Sequence, residues 1–380
     1  MTFYLPENVR KIIETLENSG YKAYVVGGCV RDTLLGVTPD DYDICTSATP
    51  DEITALFENT AATGAAHGTI TVIINKTPFE VTTFRTDGEY KDSRHPEDVR
   101  FVGDVKDDLA RRDFTVNAMC YNEKDGLTDC FGGLDDLNAG ILRAVGDPDA
   151  RFKEDALRIL RLFRFASALG FDIEKSTLAA AKENANLLKN VSRERIREEL
   201  IKLACGQKPE AILPLIKTGA LPMRENALTA KISLLPQKKE LRFFALLLFT
   251  CEDAQVAAQD LKCSNGFKNY CKNIQAALLM ENKTPADIKR LLRLLENDVF
   301  DLFSLENILF GEDTRGAADT AKRILETGEP YKISHLKIGG EDIAKKGYRG
   351  EEIGKKLSEL LEKVIEDPML NRKETLAKLI

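Results

Sequence analysis

Residues 27–46 read GGCVRDTLLGVTPDDYDICT. Two glycines meet an Arg-Asp pair, a turn with Pro39 follows, and Asp41-Tyr42-Asp43 then lead into an apolar run. The glycines let a backbone approach closely, and the helix after them points amide N–H groups toward anionic oxygens. Residues i and i+2 of a strand share a face, so Asp41 and Asp43 are expected to project together. Two like charges so placed repel unless a cation sits between them. Short carboxylates suit Mg2+, which takes one or two of them with phosphate oxygens and water. Glu80, in PFEVTTFR, is the candidate for a third carboxylate on the neighbouring strand. Gly28 and Arg31 are candidate phosphate contacts. The plainer alternative is a strand–turn–helix in which Arg31 only pairs with Asp32 or Asp41.

The pattern around this stretch sets the fold class. Residues 5–19 carry Ile12, Ile13 and Leu16 at helical spacing, with Pro6 near the start and Gly20 at the end. YKAYVVGG is a short apolar strand, CVRDTLLG a helix of about two turns closed by Gly36, and DYDICTSA the start of a second strand. TPDEITALF is a helix with Thr49 and Glu52 as a capping box. GTITVIINKTPFEVTTFR alternates about NKTP and predicts a β-hairpin. Together these predict a small α+β domain, a mixed sheet backed by helices. Strand signals fade after AMCYNEKDGLTDCFGG, and from Asp147 the chain is expected to be nearly all helix. SRERIREELIKLACG opens with Ser192 as a cap; ELRFFALLLFTCEDAQVAAQDL and PADIKRLLRLLEND follow at helical period.

Two more clusters carry chemistry. RRDFTVNAM, 111–119, sets Arg111, Arg112, Asp113 and Asn117 among apolar residues. It reads as a helix start capped by Asp113, or as a site where Arg112 meets phosphate or sugar. RFKEDALRILRLFRF, 151–165, carries Ala156, Ile159, Leu160 and Phe163 as an apolar stripe, with Arg151, Glu154, Asp155, Arg158 and Arg161 roughly opposite and Arg164 turned further round. A charged solvent face with an Asp155–Arg158 pair is the simpler reading. The sharper one uses base edges. A carboxylate accepts from an exocyclic amine while a guanidinium donates to the ring nitrogen beside it. Cytosine and adenine offer that order, and uracil and guanine offer the reverse.

Composition bounds the rest. A chain of 380 residues exceeds one core and suggests two to four domains. No uncharged apolar run reaches about 18 residues, so no membrane span is expected. The start, MTFYLPENVRKII, shows no export signal. Eight cysteines without a C-x-x-C pair point to reduced, mostly buried thiols in a cytoplasmic protein. Three scattered histidines disfavour a zinc or paired-His centre. The net charge of −7 bears on solubility and leaves room for a local basic groove.

Taken in order, GGCVRDTLLG…DDYDICTSATP, EVTTFRTDGEY, RRDFTVNAM and RFKEDALRILRLFRFASALGF resemble the class II tRNA nucleotidyltransferases, the CCA-adding enzymes, which share a superfamily with bacterial poly(A) polymerases. The C-terminal LKIGGEDIAKKGYRGEEIGKKLSELLEKVIEDPMLNRKETL looks like the family's tail. The resemblance implies a polymerase-β-like nucleotidyltransferase head (1–146), then a helical neck (147–210), body (211–330) and tail (331–380). It implies Mg2+-dependent transfer of CMP, CMP and AMP from CTP and ATP to a tRNA 3′ end, without a template. Asp41 and Asp43 would hold Mg2+ with Glu80 as a third carboxylate. Gly28, Arg31, Arg112, Asp155, Arg158, Arg161 and Arg164 would bind the nucleotide. The segment 85–101, RTDGEYKDSRHPEDVRF, is present in full, which favours complete CCA addition or A-addition over CC-addition. An A-adding enzyme and a poly(A) polymerase are the same-fold alternatives, and a non-catalytic RNA-binding protein is the alternative of another class. A basic inner surface of neck and tail is expected to hold tRNA, through Arg193, Arg195 and Arg197 and through Lys345, Lys346, Arg349, Lys355 and Lys356.

Overall fold

A computed structural model describes residues 3–88, 99–280 and 284–380. The chain forms two compact units, residues 1–225 and 226–380. In chain order the first begins with α1 (Glu7–Asn18), β1 (Ala23–Val26), α2 (Gly28–Leu34), β2 (Ile44–Thr46), α3 (Pro50–Leu56), β3 (Thr60–Gly64), β4 (Thr69–Ile74), β5 (Thr77–Thr83), β6 (Arg85–Asp87) and β7 (Val99–Phe101). There follow α4 (Val105–Ala110), β8 (Met119–Asn122), β9 (Gly126–Asp129) and α5 (Gly133–Ala139). Seven strands make one sheet in the order β3-β4-β5-β2-β1-β8-β9. Its pairs are antiparallel except β2 with β5, which run parallel in the register Ile44↔Val81.

Local chemistry explains the elements. β1 is AYVV, buried along its whole length as a central strand must be. Thr49 accepts the N–H of Glu52 while the Glu52 carboxylate takes the N–H of Thr49, the expected capping box. The β4–β5 hairpin turns on Asn75 and Lys76, both with positive φ (52° and 66°), as a two-residue turn of matching twist requires. The second strand starts later than expected. Asp41 and Asp43 precede β2, which opens at Ile44.

Helices complete the first unit: α6 (Pro148–Glu154), α7 (Leu157–Leu169), α8 (Lys175–Glu183), α9 (Arg193–Ala204) and the short α10 (Leu213–Ile216), with β10 (Ile141–Leu142) and β11 (Asp172–Ile173) paired in parallel. The stripe Ala156, Ile159, Leu160 and Phe163 is fully buried, as its spacing predicts. Truncating such a phenylalanine costs about 3–5 kcal/mol. The helix expected through 151–165 is two helices. Asp155 adopts extended backbone, φ −135° and ψ 104°, and its carboxylate accepts the N–H of Leu157 (3.0 Å). An aspartate that takes a free N–H in this way starts a helix rather than continuing one. Asp253 does the same in the second unit, ahead of the helix Ala254–Asp260, accepting from Gln255 (2.7 Å) and Val256 (3.1 Å). RRDFTVNAM is no helix start either: a single tight turn, Thr115–Asn117, leads into β8.

The second unit is helical among the described residues: α11 (Lys239–Thr250), α12 (Ala254–Asp260), α13 (Asn265–Ala277), α14 (Pro285–Leu295), α15 (Val299–Phe310), α16 (Arg315–Thr327), α17 (Gly340–Ala344), α18 (Glu351–Glu366) and α19 (Lys373–Lys378). Its last stretch buries Leu336, Ile338, Ile343, Leu360, Leu361, Val364 and Leu376 in one cluster. No helix among the described residues is long and apolar enough to cross a membrane. All eight cysteines are free thiols, and six of them are buried.

Candidate functional site

The first unit gathers the candidate residues where β1 ends and β2 begins. The carbonyl of Asp43 accepts the N–H of Val26 (3.0 Å), which ties the acidic turn to the end of β1. One residue back from the Ile44↔Val81 pair, the parallel register sets Asp43 beside Glu80. Asp41, Asp43 and Glu80 are all exposed. Desolvation by the surrounding protein raises the Asp43 carboxyl above its ordinary range; Arg112 opposes this, and Asp41 and Glu80 add to it. Among the described residues, no three His, Cys, Asp or Glu side chains stand together closely enough to hold a metal ion. Glu80 reaches Asp43 as a like charge that adds to the rise of its carboxyl.

Arg112 lies across the glycine turn. Gly27 has φ +80°, and a Cβ there would come within 2.8 Å of Arg112 Nη1. The glycine thus supplies both a left-handed backbone and the room for a guanidinium. Asp108, fully buried, holds that guanidinium from below. It accepts from Arg112 Nη2 (3.3 Å), from Arg111 Nε (3.1 Å) and Nη2 (2.8 Å), and from the N–H of Arg85 (3.4 Å). Burial alone would raise the Asp108 carboxyl; Arg111 and Arg112 outweigh it and hold the group below its ordinary value. Arg112 Nε is buried with no hydrogen-bond partner. Asp108 was not singled out from sequence, although its i+3 and i+4 spacing to two arginines was there to find.

A second network joins α2 to α7. Arg31 donates to Asp32 through Nε (2.8 Å) and to Asn117 Oδ1 through Nη1 (2.5 Å), so the plainer pairing with Asp32 is formed. Asn117 donates to Asp113 Oδ1 (3.1 Å), and Arg161 takes Asp113 Oδ2 through Nε (2.8 Å) and Nη2 (2.5 Å). Burial would raise the Asp113 carboxyl, but Arg161 and Asn117 hold it down at about 2.

The base-edge candidates each have another partner. Arg158 donates to Glu154 (2.7 Å) and to the carbonyl of Arg111 (2.9 Å). Asp155 accepts from Arg195 Nη2 (2.9 Å), a residue of α9. No direct Asp155–Arg158 side-chain pair forms, because the extended backbone at Asp155 takes its side chain out of the helical i, i+3 spacing. The two residues meet instead through the backbone, Arg158 N–H to Asp155 C=O (2.9 Å). Arg164 Nε stands 2.9 Å from Glu199 Oε2 as an ion pair, but neither atom has an aligned hydrogen-bond partner. Sequence spacing could have shown Glu154–Arg158, whereas Arg195 and Glu199 come from a distant helix.

Comparison with known proteins finds two family matches within the first unit. Residues 23–143 match the "Poly A polymerase head domain" family, and residues 170–223 match the "Probable RNA and SrmB- binding site of polymerase A" family. The CCA-adding enzyme of Limosilactobacillus fermentum is 36% identical over 98% of this chain and 96% of its own length. This chain belongs to the CCA-adding enzyme family. The family's member from Lactiplantibacillus plantarum is 37% identical over 97% of this chain and 94% of its own. The crystal structure of Bacillus stearothermophilus CCA-adding enzyme in complex with CTP superposes with a TM-score of 0.82, at 29% identity over 99% of this chain and 97% of that one. The α+β head of polymerase-β-like type and the mostly helical remainder are those of the family.

The basic residues expected at a nucleic-acid surface lie in both units. Arg193 is exposed at the start of α9, and Arg197 pairs with Glu198 (3.0 Å). Lys345, Lys346 and Arg349 are exposed between α17 and α18, and Lys355 is exposed on α18. Lys356 pairs with Glu359 (3.0 Å). Of the segment 85–101, residues 89–98 lie outside the described residues.

Proposed function

We propose that this chain adds C, C and A to the 3′ end of tRNA from CTP and ATP, releasing pyrophosphate and using no nucleic-acid template. The end-to-end match to CCA-adding enzymes carries this reading. The site supplies the chemistry. Asp41 and Asp43 fit Mg2+ by donor type: two hard carboxylates on one turn, one of them raised by desolvation and by its acidic neighbours. When bound, the ion acidifies the attacking hydroxyl and offsets the charge of the leaving pyrophosphate. Arg112 and Arg31, at the Gly27–Gly28 turn, contact the triphosphate with Arg161 and Arg164. Arg158 donates to the ring nitrogen of the base, and Asp155 accepts from its exocyclic amine. The partners of these two residues hold them in place, and a carboxylate with four lone-pair sites retains room for the amine.

Within this reading residues 1–146 are the catalytic head, 147–210 the neck, 211–330 the body and 331–380 the tail. Arg193 and Arg197 in the neck, and Lys345, Lys346 and Arg349 in the tail, contact tRNA phosphates. The work is cytoplasmic, where reduced thiols and tRNA are found. The test is extension of three tRNA transcripts, ending before CCA, after C and after CC, with CTP and ATP supplied singly and together. All three are expected to reach full CCA. A single A added to the CC-ended transcript alone means an A-adding enzyme, and a long A ladder means a poly(A) polymerase.

A further inference from the structure

One aromatic ring lies against three of the candidate arginines. Phe165, on α7, is buried. The guanidinium carbon of Arg164 stands 3.5 Å from its ring centroid, that of Arg31 5.1 Å and that of Arg161 5.4 Å. Phe114, fully buried, meets the same ring edge-on at 5.8 Å and 79°, which fixes its plane. Each guanidinium is also paired with a carboxylate: Arg31 with Asp32, Arg161 with Asp113, Arg164 with Glu199. Cations within about 6 Å of a ring centroid are attracted to the negative face of the ring. A shared ring therefore relieves the repulsion among three clustered cations and orients their planes. About a third of the Arg161 side chain remains open to solvent. The two helices joined here are the one that follows the glycine turn and the one that carries Arg158.

We propose that Phe165 is a positioning residue for the nucleotide triphosphate, an aromatic floor on which Arg31 of α2 and Arg161 and Arg164 of α7 are set in register. The inference rests on the reading of those arginines as nucleotide contacts. Phe165 itself touches no phosphate; it acts through the guanidiniums. Its effect is therefore blind to the base. A contribution to base choice would favour CTP over ATP or the reverse, whereas this one weakens both alike, together with inorganic tripolyphosphate.

The experiment measures equilibrium binding of CTP, ATP and inorganic tripolyphosphate to the full chain carrying Phe165→Leu or Phe165→Trp. Phe165→Leu is expected to weaken all three by the same factor, about ten-fold, while Phe165→Trp, which restores a π-face, stays within about three-fold of the unaltered chain. Loss with one nucleotide only, or equal loss with Leu and Trp, overturns the proposal. A second series keeps the shape of the core. Replacing Phe165 by its 3,5-difluoro analogue drains the ring face at nearly constant volume, and CTP affinity is expected to fall. Unchanged affinity in that protein overturns the proposal even where Phe165→Leu does not fold. Extension of tRNA by the unaltered chain decides the functional reading separately, so the two can fail independently.

Discussion

Asp113→Asn removes one charge from the centre of the α2–α7 network and keeps its shape. The carboxylate is buried, 8% exposed, and accepts from the N–H of Phe114 (2.8 Å) as well as from Asn117 and Arg161. Its fall from 3.8 to about 2 corresponds to about 2.5 kcal/mol. The sign follows from the direction. A carboxyl held down in the folded state stabilises it fully above about pH 4, and that contribution fades as pH falls through the folded value of about 2. An asparagine offers Arg161 an N–H where it had an oxygen, so the variant loses about 2–3 kcal/mol at neutral pH. For a unit of 225 residues this lowers the melting temperature by about 5–10 °C. Calorimetry of both proteins between pH 7 and pH 2.5 reads the difference. The gap is expected to stay level down to about pH 4.5 and to narrow below it. A gap under about 1 kcal/mol at pH 7, or one that does not change at low pH, refutes the reasoning.

Asp41→Ala or Asp43→Ala abolishes nucleotidyl transfer and leaves tRNA binding within about two-fold, read by gel shift and extension; retained turnover removes the carboxylates from the chemistry. Arg158→Ala relaxes the exclusion of UTP more than it weakens CTP binding, and an unchanged ratio of CTP to UTP incorporation would falsify the base-edge role. Gly27→Ala, which forces a Cβ against Arg112 at a positive φ, destabilises the first unit by about 1–3 kcal/mol and raises the KM for both nucleotides; a variant that melts and binds as before disproves the close approach. Neutralising Lys345, Lys346 and Arg349 together lowers the slope of log K for tRNA against log salt by about 2–3; the same slope as the unaltered chain excludes these residues from the phosphate contacts.

What the sequence showed was what neighbours in the chain decide. The Thr49–Glu52 box and the Ser192 cap each depend on residues within four positions and appeared as read, and the hairpin read about NKTP forms with a tighter turn, Asn75–Lys76, because Thr77 and Pro78 already belong to β5. Periodicity misled where a cap overrode it. Arg151, Glu154, Arg158 and Arg161 keep helical spacing across Asp155, but one side-chain bond to the N–H of Leu157 splits the helix there. β3, TAATG, carries no alternation of apolar residues and was invisible; it forms because β4 offers it an edge. Within the candidate site, the residue types were legible and their partners were not. Arg195 reaches Asp155 across 40 positions, Arg161 reaches Asp113 across 48, and only the folded chain brings them together.

Asp108 has a consequence for how this protein can change over time. One buried carboxylate holds two arginines and a backbone N–H, so the three side chains cannot drift independently. Losing Asp108 alone takes one shared anion from two arginines, whereas losing Arg111 or Arg112 alone leaves the anion the other arginine and the N–H of Arg85. The order of substitution therefore matters: a path that removes an arginine first costs less than one that begins at Asp108. Strong epistasis at positions 108, 111 and 112 is built into that single contact, and lineages are expected to keep or replace the trio as a block.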